Sequence, residues 1–537
     1  MALDGAHDKP ATVILPRTSG DELIVRLGDG DVRGVREGDL VAWRGIPYAA
    51  PPIGPLRFRA PAPPETWPGV RDGSSFGLMG AQPAPVRLSR GLTMADSSGE
   101  DCLTVNVHAP SRDVGDPLPV MVFIHGGGYS TGSSRDFSGQ GEGFVHSGRV
   151  VYVSFNYRLG PLGYLDFTRY SNARHPFQSN LGLRDQVAAL QWVHDNIEAF
   201  GGDAANVTVF GESAGGNAVT TLMTVPAARG LFARAIAQSP PSNAVYTSRE
   251  TGRWAGEFVK LLQSAVRRPD GSRDDGRTRR AADIPSLLAD ARTVDLLAAA
   301  ERLRIRTPIA YPGAFPFAPV ADGEFLPEKP LIAFHEGRAH RVPLIVGTND
   351  REGSIFRGRV DILPRTPARI RALFTRAPEA ARAGMRAAYP GLPARRPAAD
   401  FGGDYGFWYP STRIADFHSR YAPTYAYRFD FAPRLLRVVG LDATHGAEMF
   451  ALFGNVDEPM ARAMTALGGM PEYSAAGARM RQFWLHFAES GTTGASWPQY
   501  DEVSRSTLIV DSVDRVDDDP RMQRRLAWNA FLPELSG

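Results

Sequence analysis

One short stretch constrains this chain more than any other. Val207-Thr208-Val209-Phe210 is a β-type apolar run, and Gly211-Glu212-Ser213-Ala214-Gly215-Gly216 follows at once, with helix-compatible sequence beyond. A strand that bends directly into a helix leaves no room at the corner, so glycine flanks Ser213 where other side chains would clash. The bend lifts the serine hydroxyl from the C-terminal edge of a sheet. It also sets it at the positive end of the next helix, which favours developing negative charge. Ser213 is thereby a candidate nucleophile. A Gly-rich packing turn is the plainer reading, and the strand and helix on either side argue against it.

The surroundings have the matching rhythm. Residues 120–124 and 150–155 are continuous apolar runs, as in parallel strands buried on both faces. Val187, Leu190, Val193 and Ile197 recur at helical spacing, and Gly201-Gly202 stops that helix. Strand, helix, strand, turn, helix predicts an α/β fold with a doubly wound sheet. Further strands are predicted at 233–237, 343–347, 425–431 and 507–510. Near the N-terminus, 12–15, 23–27 and 40–43 read as antiparallel strands, and the Pro-rich stretch 46–68 as irregular. Residues 267–282 mix Arg, Asp and Gly without period and read as a flexible surface insertion. Residues 364–399 are rich in Arg and Ala and read as helical. There are no repeats and no clean linker, so residues 1–537 read as one domain.

Composition narrows the function classes. The 537 residues carry a net charge of only +2, which gives no electrostatic footprint for nucleic acid or an anionic membrane. The lysines are Lys9, Lys260 and Lys329, so arginine supplies nearly all the positive charge. Cys102 is the one cysteine, which suits a reducing compartment and a cytoplasmic location. The first residues show no signal-peptide pattern, and no run of about 18 apolar residues predicts a membrane span. No dense His/Cys cluster suggests a metal, and no cofactor is expected.

His125-Gly126-Gly127-Gly128 follows the apolar run 120–124. Acyl transfer places negative charge on a carbonyl oxygen, and fixed backbone N–H groups stabilise it. The N–H groups of Gly127, Gly128 and Ala214 are the candidate oxyanion hole. A phosphate-binding glycine loop is the competing reading, and the absence of a following lysine opposes it. His125 reads as a structural hydrogen-bonder.

With these motifs in hand, the chain resembles the type-B carboxylesterase family, which includes the bacterial para-nitrobenzyl esterases and is related to the cholinesterases. The resemblance rests on Arg44-Gly45-Ile46-Pro47-Tyr48-Ala49, Glu100-Asp101-Cys102-Leu103-Thr104-Val105-Asn106, His125-Gly126-Gly127-Gly128, Asn156-Tyr157-Arg158-Leu159-Gly160, Gly211 to Gly216 and Phe483-Trp484-x-x-Phe487-Ala488. It implies the α/β-hydrolase fold: a large, mostly parallel central sheet flanked by helices, with helical insertions around an active-site gorge. It also implies serine carboxylesterase activity through an acyl-enzyme, on a small-molecule ester.

In this fold the chain order is nucleophile, acid, histidine. The predicted strand 343–347 is followed by Thr348-Asn349-Asp350-Arg351-Glu352-Gly353. The family places its glutamate before a glycine here, which implies Glu352, with Asp350 the alternative. Of the later histidines, His418 and His486 fall on predicted amphipathic helices. His445 lies in the small-residue loop Asp442-Ala443-Thr444-His445-Gly446-Ala447-Glu448, which resembles the family's histidine loop.

The resemblance also implies ion pairs Arg44–Glu100 and Arg158–Asp185, a tuning role for Glu212 and a hydrogen bond from Ser239 nearby. The family's cysteine partner for Cys102 is missing, and residues 80–100 hold no Trp, so a choline-type cation site is unsupported. Tyr129, Phe315, Phe317, Phe407, Trp408 and Phe453 are candidates to line a pocket for small to medium apolar esters. An amidase or carbamate hydrolase with the same triad, and a non-catalytic binding module, are the alternatives. Monomer and homodimer are equally compatible with the sequence.

Overall fold

Period-two alternation organises the centre of the molecule, since successive strand residues point to opposite faces. Val120, Val122 and Ile124 join one buried cluster, while Met121 and Phe123 join a second across the sheet. Ala235 and Ala237 face the first and Ile236 the second; Leu344 and Val346 divide from Ile345 in the same way. Both faces of these strands are buried, which explains their uninterrupted apolar runs.

The computed structural model describes residues 23–83, 97–112, 115–136, 141–265, 284–356 and 362–535. The strand expected at 12–15 and the insertion expected at 267–282 lie outside the described residues.

Eleven strands form the main sheet. In chain order they are β1 (Val35–Glu37), β2 (Leu40–Pro47), β3 (Thr104–Pro110), β4 (Leu118–Ile124), β5 (Val151–Phe155) and β6 (Gly202–Glu212). They continue with β7 (Arg234–Gln238), β8 (Leu344–Asn349), β9 (Thr424–Phe429), β10 (Ser506–Val510) and β11 (Arg515–Asp518). Their spatial order is β11-β10-β9-β8-β7-β6-β4-β5-β3-β2-β1. Pairing is parallel from β5 through β10 and antiparallel at both margins. β2 runs further than expected, because Ile46 and Pro47 still pair with Val105 and Thr104.

Helices cover both faces. α1 (Leu181–Asn196) and α2 (Ala214–Leu222) bury Leu190, Val193, Ala218 and Leu222 in the first cluster. The helix Met470–Ser490 buries Trp484, Leu485 and Phe487 in the second. The expected helical stretch 364–399 resolves into Pro367–Arg376, Glu379–Ala388 and Arg395–Gly403.

Candidate active site

β6 ends at Glu212 and α2 begins at Ala214, which leaves Ser213 alone at the corner. Its φ of 58° and ψ of −121° are costly for a residue with a side chain. The corner is held by Ser213 N–H donating to Gln238 O at 2.9 Å and Asn217 N–H donating to Ser213 O at 2.9 Å. Close packing requires the glycines: a Cβ on Gly215 would lie 2.0 Å from Ile124 O, and one on Gly216 2.5 Å from Gln238 O.

The glycine loop leaves β4 beside this corner. A Cβ on Gly126 would sit 3.2 Å from Ser213 Cβ. Gly127 and Gly128 have φ of 107° and 61° and are exposed. Ala214 opens α2, so its amide has no acceptor within the helix. Tyr129 fastens the loop to α2, its hydroxyl donating to Asn217 Oδ1 at 2.6 Å. His125 is buried, with Nδ1 2.9 Å from Gly126 O, and burial pulls its pKa down to about 4.

Glu352 lies just past β8 and is buried. Its Oε1 accepts from Ser239 Oγ at 2.6 Å and from Asn349 N–H at 2.7 Å. Its Oε2 is 2.6 Å from His445 Nδ1. The other ring nitrogen, Nε2, stands 3.2 Å from Glu212 Oε1, on the residue preceding Ser213, and has no hydrogen-bond partner among the described residues. Phe407 and Phe356 pack on the imidazole, with ring centroids at 4.4 and 5.2 Å.

Burial alone would depress the His445 pKa, but Glu212 and Glu352 outweigh it and raise the group to about 9. Burial, with repulsion from Glu448 and Glu352, pushes Glu212 upward against the pull of His445. Glu448 was not foreseen. It is fully buried, receives Asn349 Nδ2 at 2.6 Å and Gln238 Nε2 at 3.2 Å, and is itself shifted up by burial. Its spacing of three residues after His445 was the available signal.

The other candidates go elsewhere. Asp350 pairs with Arg521 at 2.7 Å. His418 is buried with Nε2 2.8 Å from Val342 O, and His486 lies near Ser490 on its helix. Of the six pocket aromatics, Phe407 touches His445 and Phe315 packs against the small cluster of Phe356, Leu363 and Phe407. Tyr129, Phe317, Trp408 and Phe453 belong to the cores. Phe356 was missed, because nothing in the sequence near Gly353 shows which way that ring turns.

Arg158 pairs with Asp185 at 2.6 Å, fully buried, as expected. The pair Arg44–Glu100 does not form. The β1–β2 hairpin brings Glu37 to Arg44 at 2.6 Å, while Arg57 takes Glu100 at 2.6 Å through both carboxylate oxygens. Cys102 is a buried free thiol whose pKa burial pushes up. Among the described residues no group of His, Cys, Asp and Glu is arranged to hold a metal ion, and no helix is long and apolar enough to cross a membrane.

A mixed sheet flanked by helices, with a serine corner at the end of a central strand, defines an α/β-hydrolase. A model of the Carboxylesterase family matches residues 21–528. The para-nitrobenzyl esterase of Bacillus subtilis (strain 168) is 36% identical over 518 residues, covering 94% of this chain and 97% of that one. The phenmedipham hydrolase of Pseudarthrobacter oxydans is 44% identical over 217 residues, 40% of this chain and 42% of its own. A solved thermophilic PNB esterase superposes with a TM-score of 0.81 at 34% identity, covering 94% of this chain and 99% of that one. The chain belongs to the carboxylesterase family. It is a serine carboxylesterase, a carboxylic ester hydrolase.

Proposed function

We propose that Ser213, His445 and Glu352 are the catalytic residues, acting on small to medium apolar carboxylic esters. His445 Nε2 takes the Ser213 proton as Oγ attacks the carbonyl carbon, and Glu352 orients the imidazole and stabilises its charged form. The N–H groups of Gly127, Gly128 and Ala214 stabilise the oxyanion. The alcohol leaves with a proton from His445, and water activated by the same nitrogen then releases the acid from the acyl-enzyme.

One observation carries this reading: Glu352 occupies one nitrogen of His445 at 2.6 Å, and the other, 3.2 Å from the carboxylate of Glu212 at the serine corner, has no hydrogen-bond partner among the described residues. The rings of Phe356 and Phe407 against the imidazole support apolar substrates. A fluorophosphonate probe tests it. Labelling confined to Ser213 is expected in native protein and absent from Ser213→Ala; labelling elsewhere, or none, would overturn the assignment. A screen of esters graded in acyl and alcohol size tests the substrate class.

Carbamate hydrolysis is a second reading, favoured by the 44% identity to phenmedipham hydrolase over 217 residues. Rates on matched ester and carbamate pairs separate the two. We also read the chain as a single domain, since one sheet gathers strands from Val35 to Asp518. The lone buried thiol fits a cytoplasmic location.

A further inference from the structure

Arg351 immediately precedes Glu352, and only 7% of its side chain is exposed. Its guanidinium serves two carboxylates at once. Nε donates to Asp400 Oδ1 at 2.8 Å, and a terminal nitrogen donates to Asp442 Oδ2 at 2.6 Å. Its backbone N–H donates to Ala443 O at 2.9 Å. Nearby, Ser354 Oγ lies 2.6 Å from Leu441 O and 2.7 Å from Thr444 Oγ1. Asp442 to Thr444 are the residues that deliver His445. Asp400 belongs to the helix Arg395–Gly403, whose π-helical continuation Asp404–Trp408 carries Phe407 onto the imidazole.

The joint is tight at each contact. A Cβ on Gly353 would lie 1.9 Å from Ala399 O. Asp442 holds a φ of 52°, unfavourable for a residue with a side chain, and also receives Arg396 at 3.2 Å. A forked guanidinium fixes both distance and angle between its partners, which a point charge does not. Misplacing a reacting group by about 1 Å costs on the order of a hundredfold in rate.

We propose that Arg351 and Asp442 are positioning residues for the hydrolysis, their ion pair setting the histidine loop against the acid loop. This rests on the assignment of Ser213, His445 and Glu352 above. The pair acts through the Glu352–His445 contact and touches no substrate.

Steady-state kinetics on p-nitrophenyl butyrate test it. In Arg351→Met and Asp442→Asn, kcat falls roughly 10- to 100-fold while KM stays within about twofold. Arg351→Lys keeps the charge but loses the fork, and its kcat falls between wild type and Arg351→Met. The charged groups facing His445 are Glu212, Glu352 and Glu448. Loosening Glu352 removes part of their pull, so the acid limb of kcat/KM moves to lower pH in both variants. Arg338→Met breaks another bidentate pair, to Glu328, and leaves kcat unchanged. A folded variant with kcat within twofold of wild type, a loss confined to KM, or an unmoved acid limb overturns the proposal. If Arg351→Met does not fold, Asp442→Asn, whose side chain is 22% exposed, decides. Full activity in Glu352→Gln or His445→Ala would instead overturn the catalytic assignment. Their loss beside intact Arg351 and Asp442 variants overturns the positioning role alone.

Discussion

Glu212 Oε1 stands 3.2 Å from His445 Nε2, at the ring nitrogen that Glu352 does not occupy. The imidazole is therefore bracketed by two carboxylates in a buried setting, where charge interactions are weakly screened. Its pKa rises from 6.5 to about 9 through that bracket, against the effect of burial. With His445 as the proposed base, activity requires the neutral ring, so kcat/KM is expected to climb with pH through a limb above the ordinary histidine range. Glu212→Gln removes one carboxylate and shifts the limb to lower pH. A pH–rate profile that does not move would count against this electrostatic coupling.

The same groups tie stability to pH. His445 binds a proton more tightly folded than unfolded because Glu212 and Glu352 face it, and the Glu212–His445 pair titrates as one unit. That contribution is present below 6.5 and is lost as pH rises to about 9. Denaturant unfolding at fixed salt should show wild type losing more stability across that window than Glu212→Gln.

Ser213→Ala leaves the corner geometry in place, because alanine occupies the same backbone conformation. Turnover is expected to fall on the order of 10⁶-fold, with the melting temperature nearly unchanged. Residual activity near wild type would show that another group attacks the ester.

Gly215→Ala strikes the corner itself. The added methyl would lie 2.0 Å from Ile124 O, a backbone atom of β4 that cannot swing aside. We expect a loss of about 3 kcal/mol or more, or no soluble protein, measured by urea unfolding.

Asp185→Ala leaves Arg158 charged and buried without its partner. A loss of about 3–5 kcal/mol is expected. The double variant Arg158→Met with Asp185→Ala should recover part of it, and a double-mutant cycle reads the coupling.

The serine corner and the central strands were legible because steric need dictates their residues. Glycine must stand at 211, 215 and 216, and strands buried on both faces must be apolar throughout. His445 and Glu352 were reached through chain order and family pattern, and their meeting is a tertiary fact. The Arg44 partner was misread for the same reason: a family pattern names a pair, whereas the folded chain sets Glu37 against Arg44 and gives Glu100 to Arg57. Glu448 looks like any loop carboxylate until Asn349, at the end of β8, draws it inside. Phe356 turns toward the imidazole only once the chain past Glu352 has folded.

Ser213 follows β6 and Glu352 follows β8, while long stretches such as 284–343 and 362–423 are spliced between neighbouring strand ends. The nucleophile and the acid thus ride on strand ends, while the segments between them also supply Phe315 and Phe407 to the surroundings of the imidazole. Sequence lengths between the two strands can therefore diverge at exposed positions without moving either strand end.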